Sequence, residues 1–418
     1  MVQATIIGRR AGPFDWWHEA DPPARRAFLA ASLGWMLDSF DVMLYAMVVA
    51  SLIEDPTLKL SLSTAGILGS VTLLSAAAGG IVFGVLADRL GRKRALMGAV
   101  LMYSVFTAAC GFAQSALQLA VFRVLVGLGM GGEWATGAAL VSESFPAAHR
   151  GKALAFVQSS WAIGYAAAAL VNLLVLPRWG WRGVFFVGVL PALFTIWIRS
   201  GVEEPEVWRT TPRAERGRLT ALFAPGVARL TLVVTVMNAC TLFGWWGLNG
   251  WVPAYLRLSP AEGGIGLDSS TMSLFVIAMQ VGMWFGYVSF GFIADSIGLK
   301  RTYVIYVLVA TVLLPIYGQV DEPALLLALG PLVAFFGTGY FSGFGALTAE
   351  LYPTSVRATA QGFTYNAGRI VSAAAPFVVG SLAATRGFDV AFAVTGAAFL
   401  AAAIAWMWIP DTGRRELA

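Results

Sequence analysis

Gly84–Arg94 reads GVLADRLGRKR, and Gly291–Arg301 reads GFIADSIGLKR. The two stretches start 207 residues apart (291 − 84). The same offset separates Glu143 of ESFPAAHR from Glu350 of ELYPTSVR, and Gly180 of GWRGVFF from Gly387 of GFDVAFA. Three ungapped matches at one offset predict a chain made of two copies of one unit, so an element placed in one half is expected in the other.

Composition says what surrounds those units. Of 418 residues, 58% are hydrophobic and 12% charged, against about 25% charged in a soluble domain. The mean hydropathy is +0.73. A bilayer core needs about 20 apolar residues per helical crossing. Twelve runs are predicted to qualify, near 28–52, 64–87, 95–113, 117–142, 152–176, 183–199, 229–256, 271–294, 302–319, 324–349, 358–382 and 388–409. Residues 1–27 then form an N-terminal segment, 28–199 and 229–409 two six-helix bundles, 200–228 a Glu-, Arg- and Pro-rich linker, and 410–418 a tail. The fold class expected is an all-α membrane protein of two pseudo-symmetric bundles.

With the N-terminus inside, 21 of the 28 Lys and Arg residues fall in alternate, inner segments. Five fall outside (Lys59, Arg178, Arg182, Arg257, Arg386), and Arg123 and Arg369 lie within spans. The positive-inside rule therefore places both termini in the cytoplasm. FDWWHEADPPARR precedes the first run without a cleavage-like site, so no secretory signal is expected. The basic residues cluster in loops rather than on a soluble face, which argues against nucleic acid as a partner. Cys110 and Cys240 sit in apolar runs and are expected as free thiols, and two histidines make no metal cluster. No cofactor is expected.

The duplicated stretches resemble the cytoplasmic signature between helices 2 and 3 of the major facilitator superfamily. RVLVGLGMGGEW from Arg123 is similar to that superfamily's helix-4 signature. The resemblance runs from about residue 25 to 412 and implies twelve helices in two six-helix bundles around a central cavity. WMLDSFDVMLY, GMGGEWATGAALVSESFP and YNAGRIVSAAAP look like the proton-coupled organic-acid symporters, including the sialate/lactate and aromatic-acid groups. ESFP...R and PDTGRR also resemble sugar porters, and the same pieces occur in organic-ion carriers. We favour the sialate/lactate type, for WWHEADPPARRAFLAASLGWMLDSFD. The resemblance implies a multi-pass protein of the inner membrane that works as a monomer.

Several charged residues lie where lipid would be the solvent. Asp38 and Asp41 share one face of the first span, with Tyr45 continuing it. A charge at membrane depth costs roughly 2.5–3.5 kcal/mol on insertion scales, so it faces a cavity or a partner. Burial and a like-charged neighbour both favour the protonated form of a carboxylate. The pair is expected to carry a proton, or else to be structural, capping a break or pairing with an arginine. Glu133 in the fourth span joins the proton path or acts as a buried strut. Arg123, about 15 Å from Glu133 along that helix, is assigned to the proton site by resemblance, with a second substrate contact as the alternative.

Arg369 is a guanidinium about twelve residues into span 11, with no second-half acid at that depth. Its planar fork suits a carboxylate, so it is the expected substrate ligand, and the resemblance associates the matching arginine with anionic substrates. Backbone carbonyls or a first-half acid could satisfy it instead. Tyr365, Asn366, Asn249, Asn238, Tyr45, Gln158, Gln280 and Tyr340 are the accompanying substrate-site candidates. A cytoplasmic latch is expected from Asp88, Arg92, Arg94, Glu143 and Arg150, and from Asp295, Arg301, Glu350 and Arg357. Ser296 and Leu299 replace Arg89 and Arg92 in the second copy, so its latch should be weaker.

The expected function is proton-coupled symport of an organic monocarboxylate such as lactate, pyruvate, sialic acid or an aromatic acid. The partners are thus a small organic anion, a proton and the lipid bilayer. The alternative is a uniporter or exporter of a sugar or other small metabolite. An enzyme or sensor is disfavoured, since the chain carries no nucleotide-binding loop, no nucleophile–base set and no soluble domain.

Overall fold

Asp21 accepts a hydrogen bond from Ala24 N–H at 2.8 Å, and Pro22 follows it. An Asx cap and a proline in the first turn are strong helix-start signals, and from there α1 runs Pro22–Glu54. The computed structural model describes residues 15–145, 147–201, 222–344, 347, 351–352 and 357–410. After α1 come α2 (Leu62–Leu90), α3 (Arg92–Cys110), α4 (Ala116–Ser144), α5 (Ala147–Val187) and α6 (Leu190–Gly201). The second half holds α7 (Ala228–Arg257), α8 (Ser269–Ile297), α9 (Leu299–Tyr317), α10 (Pro323–Thr338), α11 (Arg357–Ser372), α12 (Ala375–Arg386) and α13 (Phe388–Ala405). No strand occurs among the described residues.

The repeat extends to backbone geometry. Shifted by 207 residues, the bounds of α2 and α3 become those of α8 and α9. The turns between them use the same device: Gly91 and Gly298 take φ of 105° and 94°, a region that favours glycine. Gly180 and Gly387, also 207 apart, take φ of 64° and 91°.

Ten stretches of the described residues are long and apolar enough to cross a membrane. One spans Lys152–Thr195, 44 residues, and contains the non-helical Gly180. α3 adds a nineteen-residue helix. The predicted spans fall on these elements, with one difference in the first half, where span 5 runs on through Gly180 and span 6 is broken between Val187 and Leu190, and two in the second half. Span 10 leaves the α-helix at Thr338 and continues as a 3-10 turn over Gly339–Gly343. Span 11 is interrupted between Ser372 and Ala375, where Ala374 N–H bonds only three residues back and Pro376 has no N–H to offer. Most of the expected 200–228 linker lies outside the described residues.

Within the first half, α2 packs on α4, α1 on α5, and α3 on α4; in the second, α8 packs on α10, α11 on α7, and α9 on α13. Glycines bring the backbones together. A Cβ on Gly131 would lie 1.8 Å from the Ala76 carbonyl oxygen, and one on Gly79 would lie 2.0 Å from that of Leu128. Small residues let membrane helices approach this closely, where packing rather than hydrophobicity drives association.

The halves meet along α5–α8, α2–α12, α2–α11 and α1–α7. Several contacts tie them at the end where α1 stops and α2 begins. Arg257 of α7 pairs with Glu54 of α1 at 3.2 Å. Asn172 Nδ2 donates to Ser273 Oγ at 3.0 Å, and the Phe377 N–H donates to Ser70 Oγ at 3.2 Å. Pro376 fills the space left by Gly66 and Gly69. This is the end that the positive-inside rule assigns to the outer side.

Candidate functional site

Among the described residues, five acidic or basic side chains are buried in the interior: Asp38, Asp41, Arg123, Glu133 and Arg369, each no more than 3% exposed. They fall into two groups around α1. Glu133 of α4 reaches α1 at Gly34, where a Cβ would come within 2.4 Å of its Oε1. One turn on, Asp38 has Glu133 as a like-charged neighbour and faces Arg369 of α11 across the boundary between the halves. No ion pair joins Asp38 to Arg369 among the described residues. Both Glu133 oxygens and Asp38 Oδ2 accept no hydrogen bond among the described residues.

The second group lies further along α1. Asp41 neighbours Ser104 and Thr107 of α3 and Arg123 of α4, yet among the described residues neither of its oxygens accepts a hydrogen bond. Arg123 instead sits over the Tyr45 ring, with its Cζ 4.3 Å from the centroid. The Tyr45 hydroxyl donates to the Ala65 carbonyl at 2.8 Å.

Arg369 is anchored from its own helix. Its Nη2 lies 3.5 Å from the Tyr365 hydroxyl, and its Cζ stands 5.1 Å over the Tyr365 ring. Its Nε has no acceptor among the described residues. A buried donor without an acceptor costs about 1–3 kcal/mol, more when charged, so a guanidinium left in this state favours an added acceptor.

Aromatic rings span the boundary beside it. Trp35 of α1 packs on Trp161 of α5 at 4.6 Å, Trp161 on Trp245 of α7 at 5.3 Å, and Trp245 on Trp246 at 4.6 Å. Phe341 continues the line from Trp245 to Phe344, which reaches Tyr365. The Trp161 indole N–H has no acceptor among the described residues. The Tyr287 hydroxyl stands beside Gln158, Trp245 and Thr338.

The remaining candidates are spread around this core. Asn238 is buried against Gly368 with an unpartnered Oδ1. Asn249 donates to the Trp245 carbonyl at 3.1 Å, and its own carbonyl accepts from Tyr165 of the other half at 2.8 Å. Gln280 donates to the Val276 carbonyl at 3.3 Å and leaves Oε1 unpartnered. Tyr340 is spent on the Thr241 carbonyl at 3.0 Å. Asn366 donates to the Gly362 carbonyl and turns its oxygen toward Gly80 of α2. Of the expected latch, Arg94 and Arg301 are exposed; the side chains of Asp88, Arg92, Glu143, Arg150, Asp295, Glu350 and Arg357 lie outside the described residues.

Trp35, Tyr287 and Phe341 were absent from the sequence-based candidates, because an aromatic residue in an apolar run carries no signal of its own. The Glu54–Arg257 bridge had one: opposite charges close the first helix of each half. Cys110 and Cys240 are free thiols, and no group of three metal-ligating side chains occurs among the described residues.

A sequence profile of the Major Facilitator Superfamily matches residues 31–260 and 234–418. A probable 4-methylmuconolactone transporter of Cupriavidus pinatubonensis is 34% identical over 96% of this chain and 93% of its own. The sialic acid transporter NanX of Escherichia coli is 30% identical over 92% of this chain and 94% of its own. The crystal structure of a D-xylose–proton symporter superposes with a TM-score of 0.73 at 22% identity, covering 94% of this chain and all of that one.

Proposed function

The chain belongs to the major facilitator superfamily and is a multi-pass membrane transporter, not an enzyme; on that premise we propose proton-coupled symport of an organic monocarboxylate. The observation that carries the proposal is Arg369. It is a buried guanidinium with an unfilled Nε, at the boundary between the halves, facing Asp38 of the opposite half. The substrate carboxylate binds this fork, with Tyr365 beside it. Asp38 competes for the same cation when ionised and yields it when protonated. A proton on Asp38 therefore favours substrate binding, and loss of that proton favours release.

The aromatic line from Trp35 to Phe341 supports a substrate with a flat or apolar body. Trp161, Gln158, Asn238, Asn249 and Gln280 supply polar contacts, while Asn366 and Tyr340 shape the wall. Arg123, Asp41 and Glu133 belong to the proton route, and Tyr45 stands with them. We read the Lys152–Thr195 stretch as two crossings and α3 as one more, giving twelve. The linker at 200–228 and both termini lie in the cytoplasm, the membrane is the inner one, and a single chain carries the whole pathway. The probable 4-methylmuconolactone transporter and the sialic acid transporter among its relatives agree with an acidic or oxygen-rich cargo.

The test is counterflow in liposomes, with labelled lactate, sialic acid and 4-hydroxybenzoate supplied in turn. Wild type should exchange at least one of these acids, and Arg369→Ala should exchange none. Normal exchange by Arg369→Ala, or exchange of a neutral sugar in place of every acid, would overturn the proposal.

A further inference from the structure

Asp41 and Arg123 attract each other, are both almost fully buried, and are not paired. Arg123 offers five donors in a fixed fork, and an ionised Asp41 would offer only acceptors. The Ser104 and Thr107 hydroxyls stand near Asp41 without hydrogen-bonding it, and a buried carboxylate left so beside a buried guanidinium with free N–H groups is an unstable arrangement if both are charged. It is a natural one if Asp41 carries a proton. The guanidinium then needs another place to rest, and it lies against the Tyr45 face, 4.3 Å from the ring centroid. A desolvated cation gains from an aromatic face.

The ring is a fixed platform. Tyr45 lies four residues after Asp41, so both project from one face of α1. Its hydroxyl is tied to the Ala65 carbonyl of α2 at 2.8 Å, which holds the ring still while Arg123 moves. A water-sized space lies on the Tyr45 side of Arg123. A cavity of about 40 Å³ is bordered by Tyr45, Arg123 and Thr72 of the first half and by Trp246, Gly250 and Pro376 of the second. Because both halves line it, separating them at this end would open it to water.

We propose that Tyr45 is a positioning residue for proton coupling: its ring parks Arg123 away from Asp41 while Asp41 is protonated. When Asp41 gives its proton to water admitted as the halves separate, Arg123 swings from the ring to the new carboxylate. The other charged or titratable groups near Asp41 are Asp38 on α1, Tyr103 and Cys110 on α3, and Glu133 on α4 beyond Asp38. None of these supplies a cation, so Arg123 is the group whose position Tyr45 decides. This inference rests on the proton-coupled reading above, but its first readout does not.

That readout is the infrared band of the protonated Asp41 carboxyl, identified by its loss in Asp41→Asn and followed against pH in purified, lipid-reconstituted protein. Tyr45→Leu removes the platform, so Arg123 falls onto Asp41 and the midpoint should drop by about one pH unit, a tenfold change in proton concentration. Tyr45→Phe keeps the ring and should stay within about threefold of wild type. Monodisperse elution and a cooperative melt check that each variant is folded. Equal midpoints in wild type and Tyr45→Leu would overturn the proposal, as would equal displacements in Phe and Leu. Gradient-driven uptake is then measured on the same samples. A shifted midpoint with uptake indifferent to the pH gradient would keep the role of Tyr45 and sink proton coupling instead.

Discussion

At the scale of single residues, Arg369 decides the account. Lysine keeps the charge but not the planar fork. Arg369→Lys should weaken substrate binding by roughly 10- to 100-fold, the worth of about 1.5–3 kcal/mol for a charge-assisted hydrogen bond. Substrate-dependent quenching of the boundary tryptophans would report it, and wild-type affinity in the lysine variant would remove the bidentate role. Asp55, just past α1, gives a different check. Partial burial alone would raise its pKa, but hydrogen bonds from the Thr57 side chain, the Trp181 indole and the Thr57 and Leu58 N–H groups outweigh this and hold it at about 2. A depressed folded-state value means the stabilisation is present above the ordinary value of 3.8 and is lost as the pH falls toward 2. The melting-temperature gap between wild type and Asp55→Ala should therefore be constant from about pH 7 to 5 and shrink below about 4. A gap that persists at low pH would mean that Asp55 acts through packing. Asp38, Asp41 and Arg369 were legible in the sequence because a charge in an apolar run has few explanations. Their partners were not, since the approach of Asp38 to Arg369 joins residues 331 apart (369 − 38), and Trp35, Tyr287 and Phe341 look like any other apolar residue.

At the scale of elements, glycine positions separate close packing from mere flexibility. Gly131→Val would drive a side chain into the α2 backbone at Ala76. Overpacking of this kind typically costs about 1–3 kcal/mol or more, so the variant should melt well below wild type or fail to assemble. A Cβ on Gly362 of α11 would meet nothing within 4 Å among the described residues. Gly362→Ala should melt at or above wild type, because alanine favours the helix by about 1 kcal/mol. Similar melts for the two variants would contradict the close α2–α4 packing. Gly34→Ala is the functional counterpart: it displaces the Glu133 carboxyl from α1 without touching Arg369. The apolar runs and the 207-residue repeat made most of these elements readable, down to the glycine turns at Gly91 and Gly298. The interruptions in spans 10 and 11 were not. Hydropathy is blind to hydrogen-bond direction, so the shift to a 3-10 turn after Thr338 and the break before Pro376 leave the apolar pattern intact.

At the scale of the whole molecule, alternating access requires contacts that hold one end shut and can be given up. The Glu54–Arg257 bridge is suited to this, since its arginine and glutamate side chains are 29% and 42% exposed and it joins the first helix of each half. Exposed pairs contribute about 0–1 kcal/mol, enough to shift a conformational equilibrium by up to roughly fivefold without locking it. Arg257→Glu should raise thiol labelling of a cysteine introduced at Thr72, which is buried beside the cavity between the halves. The double exchange Glu54→Arg with Arg257→Glu should return labelling toward wild type. Failure of the exchange to restore it would mean that the bridge is incidental to closure.

Coupling of proton to carboxylate is the central claim, and internal pH measures it most directly. Liposomes holding the protein and a pH-sensitive dye receive the transported acid outside, with no pH gradient imposed. Wild type should acidify the interior faster than empty liposomes, while Arg369→Ala should match the empty ones. Uptake of labelled acid by wild type with no protein-dependent acidification would contradict symport and leave a carrier of the anion alone.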